Sequence, residues 1–193
     1  KERNDDDVLE AVQTMMNDDE DDGLARKAAA FLGEADDEAF SVLETFFLLE
    51  RGSDEEAAAA AAKLGEVDGN ERVLETLYSA LADKRTEVAQ NAAASLETLE
   101  ADELQRRALD DDDVPAALKS SIADTLAEDG DDASKMAGLR YMADNASGRP
   151  AELAIRSLGE LDSEESRATV ETFLTANSAR KRRVAVDVLL ELG

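Results

Sequence analysis

Leu32-Gly33-Glu34-Ala35-Asp36, Leu64-Gly65-Glu66-Val67-Asp68 and Leu158-Gly159-Glu160-Leu161-Asp162 are near-copies of one phrase. Its leading leucine recurs at Leu32, Leu64, Leu96, Leu126, Leu158 and Leu190, at intervals of 32, 32, 30, 32 and 32 positions. A fixed period of about 20–50 residues marks an array of stacked structural units. Each unit in such an array buries its apolar face against its neighbours. The 193 residues therefore read as one elongated domain, with units at about 1–35, 36–68, 69–101, 102–130, 131–162 and 163–193.

Composition says what the units are made of. Alanine occurs 35 times, aromatic residues are 4%, and the only prolines are Pro115 and Pro150. Alanine is the strongest helix former and proline the strongest breaker, so the chain reads as all-α. Each unit divides into two antiparallel helices, A then B. The A helices are expected near 6–17, 37–51, 70–82, 102–109, 132–145 and 163–177. The B helices are expected near 24–33, 54–65, 85–99, 115–127, 149–159 and 179–192.

Start and stop signals agree with this division. Ser53 with Glu56 three residues later has the form of a capping box, and Asp162-Ser163-Glu164-Glu165 brings carboxylates to the positive end of a helix. Pro115 and Pro150 fall in first turns, where a missing N–H costs little. Gly33, Gly65, Gly130 and Gly159 follow periodic apolar residues, and a left-handed helix exit favours glycine there. The A helices carry their own ladder, Met15, Phe46, Leu77, Leu109, Met142 and Leu174. The B helices carry a small residue four before the leucine, at Ala28, Ala60, Ala92 and Ala154, with Ile122 as the exception. In the last unit the rung is ambiguous between Leu189 and Leu190.

Charge excludes several functions. There are 47 acidic against 21 basic residues, a formal net charge of −26. The acids are spread over the whole chain. They read as adaptation to molar salt, where like charges are screened within about 3 Å; an acidic surface shaped for a basic partner is the alternative. Nucleic-acid binding needs Lys/Arg stripes that release counterions, and this chain has none. An anionic membrane surface is disfavoured for the same reason, and no run of 18 apolar residues spans a bilayer. The first residues, Lys1-Glu2-Arg3-Asn4-Asp5, lack an initiator Met and an apolar leader, as expected of a fragment or a processed chain. The absence of cysteine suits a cytoplasmic protein.

Arg26, Ala28, Leu32 and Gly33, then Ala60, Leu64 and Gly65, then Ala154, Leu158 and Gly159, followed by Asp36, Asp68 and Asp162, resemble the short HEAT-like repeats named after phycobilisome lyases. With this charge the chain is most similar to haloarchaeal members of that family. Units three and four depart from it, with Glu97 and Ala127 in place of the glycine. The resemblance implies a right-handed α-solenoid of about six helix pairs and a scaffold or adaptor role. A regulatory or chaperone-like enzyme subunit, or a structural segment of a longer solenoid, are the alternatives.

No catalytic residue, cofactor or metal is expected. Without histidine or cysteine, Ser-His-Asp and Cys-His triads cannot be built, and no such side chain could hold a bilin. Among 47 acids, carboxylate pairs arise by chance. Asp18, Glu20, Asp22 and Gly23 imitate the start of a calcium loop, but Ala29 stands where its bidentate glutamate belongs. Asp110-Asp111-Asp112-Asp113 reads as a solvated loop that caps the following helix. Phe46-Phe47-Leu48-Leu49 reads as core.

The partner expected is another protein; the sequence leaves the oligomeric state open, with a monomer favoured. The resemblance puts the B helices on the concave side. Their expected exposed positions, Ala58, Ala59, Gln90, Asn91, Ser120 and Ser121, are small or uncharged on an otherwise acidic chain. Such a strip could seat a partner helix at little rotamer cost. Crowding on the concave side would demand the same small residues. Arg180, Lys181, Arg182 and Arg183 form the one basic cluster, suited to an acidic partner, a further repeat or local charge balance.

Overall fold

The computed structural model describes residues 38–67 and 69–193, with side chains from Thr45 onward. The first unit expected from the sequence therefore lies outside the described residues, with helices 6–17 and 24–33, Met15, Ala28, Leu32 and the Asp18–Gly23 loop. Among the described residues there are ten α-helices and no strand. They are α1 (Glu38–Arg51), α2 (Asp54–Leu64), α3 (Glu71–Ala80), α4 (Thr86–Thr98) and α5 (Asp102–Asp110). Then come α6 (Ala116–Asp129), α7 (Asp132–Asn145), α8 (Arg149–Glu160), α9 (Glu164–Thr172) and α10 (Ala179–Leu192). Five consecutive A/B pairs make an α-solenoid-type repeat fold. The chain divides into two compact units, residues 1–95 and 96–193.

Local chemistry sets the helix starts. Ser53 and Glu56 form the expected capping box: Glu56 N–H donates to Ser53 Oγ, and Ser53 N–H donates to Glu56 Oε2 at 2.8 Å. Asn70 caps α3 by accepting from Val73 N–H at 3.1 Å. Asp131 caps α7 by accepting from Ser134 N–H at 2.7 Å, and Ser163 caps α9 with Ser166 in a reciprocal pair. Pro150 lies in the first turn of α8, whereas Pro115 sits one place before α6. No side chain caps α6, so the Asp110–Asp113 run does not cap it. Asp111 Oδ1 instead accepts from Asp113 N–H at 3.0 Å, a turn local to the loop.

In the first unit α1 packs on α2 and α2 on α3. Phe46, Phe47 and Leu49 are buried, as expected of core, and the Arg72 guanidinium lies 4.7 Å over the Phe46 ring. Val73 and Leu77 are fully buried on α3, and Leu64 on α2. In the second unit α7 packs against both α6 and α8. Gly138 makes the α6 contact possible, because a Cβ there would collide with the Ala123 carbonyl and stand 2.9 Å from the Ala127 amide. Leu139, Ile155, Leu158, Val170, Phe173, Val184 and Val188 then close one apolar cluster from α7 to α10.

Two expectations are corrected here and one open choice is settled. Gly65 and Gly130 have φ of −72° and −69°, and Gly159 lies inside α8, so none supplies a left-handed exit. Glu100 and Asp162 take that conformation instead, with φ of 52° and 45°. Gly65 is needed for space: a Cβ would lie 2.6–2.9 Å from three Ser95 atoms. Leu174 is exposed and Phe173 is buried in its place. The end of α9 tightens there into a 3₁₀ turn, Phe173–Thr175, whose three residues per turn rotate the register. Leu190 is 77% exposed, and Leu189 packs on the cluster as the rung. The last unit is one residue shorter, with Ala185 following Ala154, and Leu189 following Leu158, by 31.

Candidate functional site

The first part of the B-helix strip lies on α2 and α4. Alanines at 57–62 leave the α2 backbone without bulky cover, and neighbouring side chains reach its carbonyls. Asn91 Nδ2 donates to the Ala58 carbonyl at 2.8 Å, and Ser95 Oγ donates to the Ala61 carbonyl at 2.8 Å. Ala58 is consequently buried, at 3% exposure, where the sequence reading expects it exposed. Asn91 is half-buried by the same contact, whereas Ala59 and Gln90 are exposed.

The second part lies on α6, in the other compact unit. Ser120 and Ser121 are both exposed. Ser120 Oγ bonds back to the Ala116 carbonyl at 3.1 Å within its own helix, which leaves the face short and uncharged. The positions that present small, uncharged groups to solvent are thus Ala59, Gln90, Ser120 and Ser121, with Asn91 partly engaged.

A residue the sequence reading passes over organises the first unit. Arg85 precedes α4, and its Nη2 donates to the Leu49 carbonyl at 2.9 Å and its Nη1 to the Gly52 carbonyl at 3.4 Å. These carbonyls end α1, where a cation meets the negative pole of the helix. Asp83 holds the guanidinium, accepting from Nε at 3.0 Å and from Nη2 at 2.6 Å. That bond lowers the Asp83 carboxyl below its usual 3.8 and raises Arg85 above its usual value. The signal in the sequence is the pair Asp83-x-Arg85 just before a helix start.

The basic cluster at the start of α10 is largely engaged in the same way. Arg180 pairs with Glu152 of α8. Lys181 Nζ donates to the Asp144 carbonyl, at the end of α7, at 2.9 Å. Arg182 Nη1 donates to the Ala176 and Asn177 carbonyls, at 2.6 and 3.0 Å. Arg183 is exposed. The geometry matches local charge balance: these bases hold helix ends that would otherwise present bare carbonyls.

Two clefts open in the second unit. One, of about 590 Å³, has mixed walls: Arg106, Lys119, Arg140 and Tyr141 face Asp110, Asp112, Asp113 and Asp144. The other, of about 540 Å³, gathers Glu97, Glu100, Asp102, Asp129 and Asp131 around Gln105 and Leu126. Asp131 is held below its usual 3.8 by the Ser134 hydroxyl and amide beside it. Among the described residues no three acidic side chains are arranged to hold a metal ion, and no helix is long and apolar enough to cross a membrane.

No family model and no curated protein matches the chain. Among solved structures, human deoxyhypusine hydroxylase in complex with glycerol is similar over 97% of this chain and 80% of its own, at 18% identity and a TM-score of 0.34. The designed armadillo repeat protein YIII(Dq)4CqI is similar over 97% of this chain and 85% of its own, at 17% identity and a TM-score of 0.31. Neither likeness bears on function.

Proposed function

We propose that this chain is a non-enzymatic scaffold that holds another protein against the exposed faces of its B helices, in the cytoplasm of a halophilic archaeon. The observation that carries the reading is a contrast of surface chemistry. On a chain of net charge −26, α2 and α4 of the first unit present Ala59 and Gln90 to solvent, and α6 of the second unit presents Ser120 and Ser121. Small uncharged side chains cost little desolvation and little rotamer entropy when a partner covers them. The lack of histidine and cysteine removes the usual nucleophile–base pairs, which agrees with a binding role.

The test is capture of partners by the tagged chain from a halophile lysate held in molar KCl, with mass spectrometry of what is retained. Gln90→Lys and Ser121→Lys are the informative variants, because both side chains are exposed and neither change disturbs the bond from Asn91 to Ala58. A dominant partner retained by the natural chain and lost from the double variant is the expected result. Retention unchanged by the double variant overturns the assignment of the surface, and an enriched substrate turned over by the chain alone overturns the non-enzymatic reading.

A further inference from the structure

We propose that the cleft of about 590 Å³ lined by α5, α6 and α7 is a binding site for a small zwitterion, an α-amino acid with a short aliphatic side chain. None of the residues of the B-helix strip lines it, so this assignment and the scaffold reading stand or fall independently.

Three helix ends meet at this cleft and sort its charge. α6 starts here, with Ala116 on the wall and no side-chain cap. The first bond of that turn runs from Lys119 N–H to the Pro115 carbonyl at 3.0 Å. The amides of Ala116, Ala117 and Leu118 ahead of it form the positive pole of the helix. α5 and α7 end here, with Asp110 and Asp144 on the wall. Their last carbonyls add to the negative charge of those carboxylates. The Asp144 carbonyl is taken by Lys181, but the Asp144 carboxylate is only loosely paired with Arg140, at 3.8 Å. A carboxylate is favoured at the first pole and an ammonium at the second.

The charged side chains of the cleft do not neutralise one another. Among the described residues, the half-buried Lys119 ammonium and the Asp110 and Asp112 carboxylates make no hydrogen bond or ion pair, although all three line the one cleft. Arg106 lines it too, and its Nε is buried without an acceptor among the described residues. An unmade bond of that kind is costly, and a ligand carboxylate can supply the acceptor. Opposite charges that share a cleft without meeting leave a gap for a molecule that carries both signs. A simple anion would meet four aspartates there, and a simple cation three bases. A zwitterion matches both.

Size and apolar groups narrow the ligand further. The volume falls in the roughly 300–1,000 Å³ range of small-molecule sites. Leu109 and Val114 are buried and Ala137 is half-buried, and all three line the cleft, so an aliphatic side chain has apolar surface to cover. Most of the charged groups remain partly exposed, which keeps the affinity modest, with a Kd of roughly 1 mM. At 1 M salt the screening length is about 3 Å, so direct contacts survive while the long-range field of the chain does not.

The experiment is a titration of the full chain, labelled with ¹⁵N, in molar KCl, followed by its amide NMR shifts. The probes are L-leucine and its two halves, 4-methylpentanoate and 3-methylbutylamine, each of which keeps one charge. The expected result is saturation by leucine with shifts at Ala116, Ala117 and Leu118, and binding of each half weaker by roughly tenfold or more. Lys119→Gln and Asp110→Asn, at half-buried and exposed positions, should each weaken leucine by a similar factor with the circular dichroism unchanged. Ser121→Lys, outside the cleft, should leave leucine binding as it is. No shift at about 10 mM leucine, tenfold above a millimolar constant, overturns the proposal. So do shifts that avoid the start of α6, or binding indifferent to both Lys119→Gln and Asp110→Asn. Binding of 4-methylpentanoate as tight as that of leucine overturns the zwitterionic ligand.

Discussion

The two compact units join successive helices with different chemistry. In residues 45–95 an apolar core of Leu64, Val73, Leu77 and Val88 is supplemented by polar side chains on backbone carbonyls: Asn91 to Ala58, Ser95 to Ala61, and Arg85 to Leu49 and Gly52. In residues 96–193 the larger aliphatic cluster dominates, with Ile155, Leu158, Val184 and Val188 interlocked; donors to carbonyls recur there at the start of α10, and ion pairs such as Arg156 with Asp187 and Glu191 lie at the surface. The alanine run of α2 explains the first case. It offers little apolar area to bury, but it leaves carbonyls within reach of a neighbour's hydroxyl, amide or guanidinium. The lesson is that the repeated leucine fixes where helices stack, while the residues between repeats decide what holds the stack together.

The largest expected effect tests the aliphatic joint. Leu158 is fully buried, and Leu158→Ala should cost about 2–5 kcal/mol through lost transfer energy and the cavity left behind. Denaturant unfolding of the second unit, followed by hydrogen exchange in α8 and α10, measures it. A loss spread evenly over α2 and α4 as well would erase the contrast between the units.

Next comes the polar joint. Arg85→Ala removes a charged donor from the last carbonyls of α1 and should cost roughly 1.5–3 kcal/mol. The damage should appear as faster exchange at the end of α1. Because these bonds are short-ranged and half-buried, the loss should change little between dilute and molar KCl.

Arg156→Ala sharpens the comparison by its salt response. Its pairs with Asp187 and Glu191 are 3.7 and 3.8 Å long, with an Arg156 side chain 42% exposed. Exposed pairs of this kind contribute about 0–1 kcal/mol. The small loss expected in dilute buffer should vanish in molar KCl, and unfolding midpoints in the two solutions decide the matter.

The smallest effect is a pH dependence. Asp83 is held below 3.8 in the folded chain, chiefly by its bond to Arg85. A carboxyl lowered on folding stabilises the protein above its ordinary value, and that contribution is lost as pH falls below 3.8 through the lowered one. Asp83→Asn should therefore be less stable than the natural chain near neutrality, and the gap should close in acid below that range. A gap that widens in acid would show that Asp83 does not serve Arg85.

Much of this architecture is legible because helix formation answers to local rules. The starts of α2, α3, α7, α9 and α10 follow from their capping side chains, and the buried rungs Leu64, Leu96, Leu126 and Leu158 follow from the period. The last rung, which the period leaves open between Leu189 and Leu190, is settled by packing: Leu189 lies on the cluster and Leu190 is 77% exposed. Leu174 is misread because the chain tightens there into a 3₁₀ turn packed on α10, which brings Phe173 into the core instead. Of the strip, Ala59, Gln90, Ser120 and Ser121 are exposed as read. Ala58 is not, since its burial depends on a side chain 33 positions away.

What the sequence determined by itself is the helical repeat, the approximate helix positions and the acidic surface, because propensity, capping and charge are properties of neighbouring residues or of their sum. Only the tertiary structure decided the work of the glycines and the bases. Gly65, Gly138 and Gly159 serve close approach rather than turns, and Arg85, Lys181 and Arg182 donate to backbone carbonyls of neighbouring segments. Both outcomes depend on which backbone lies within a few ångströms, and that distance exists only once the helices have packed.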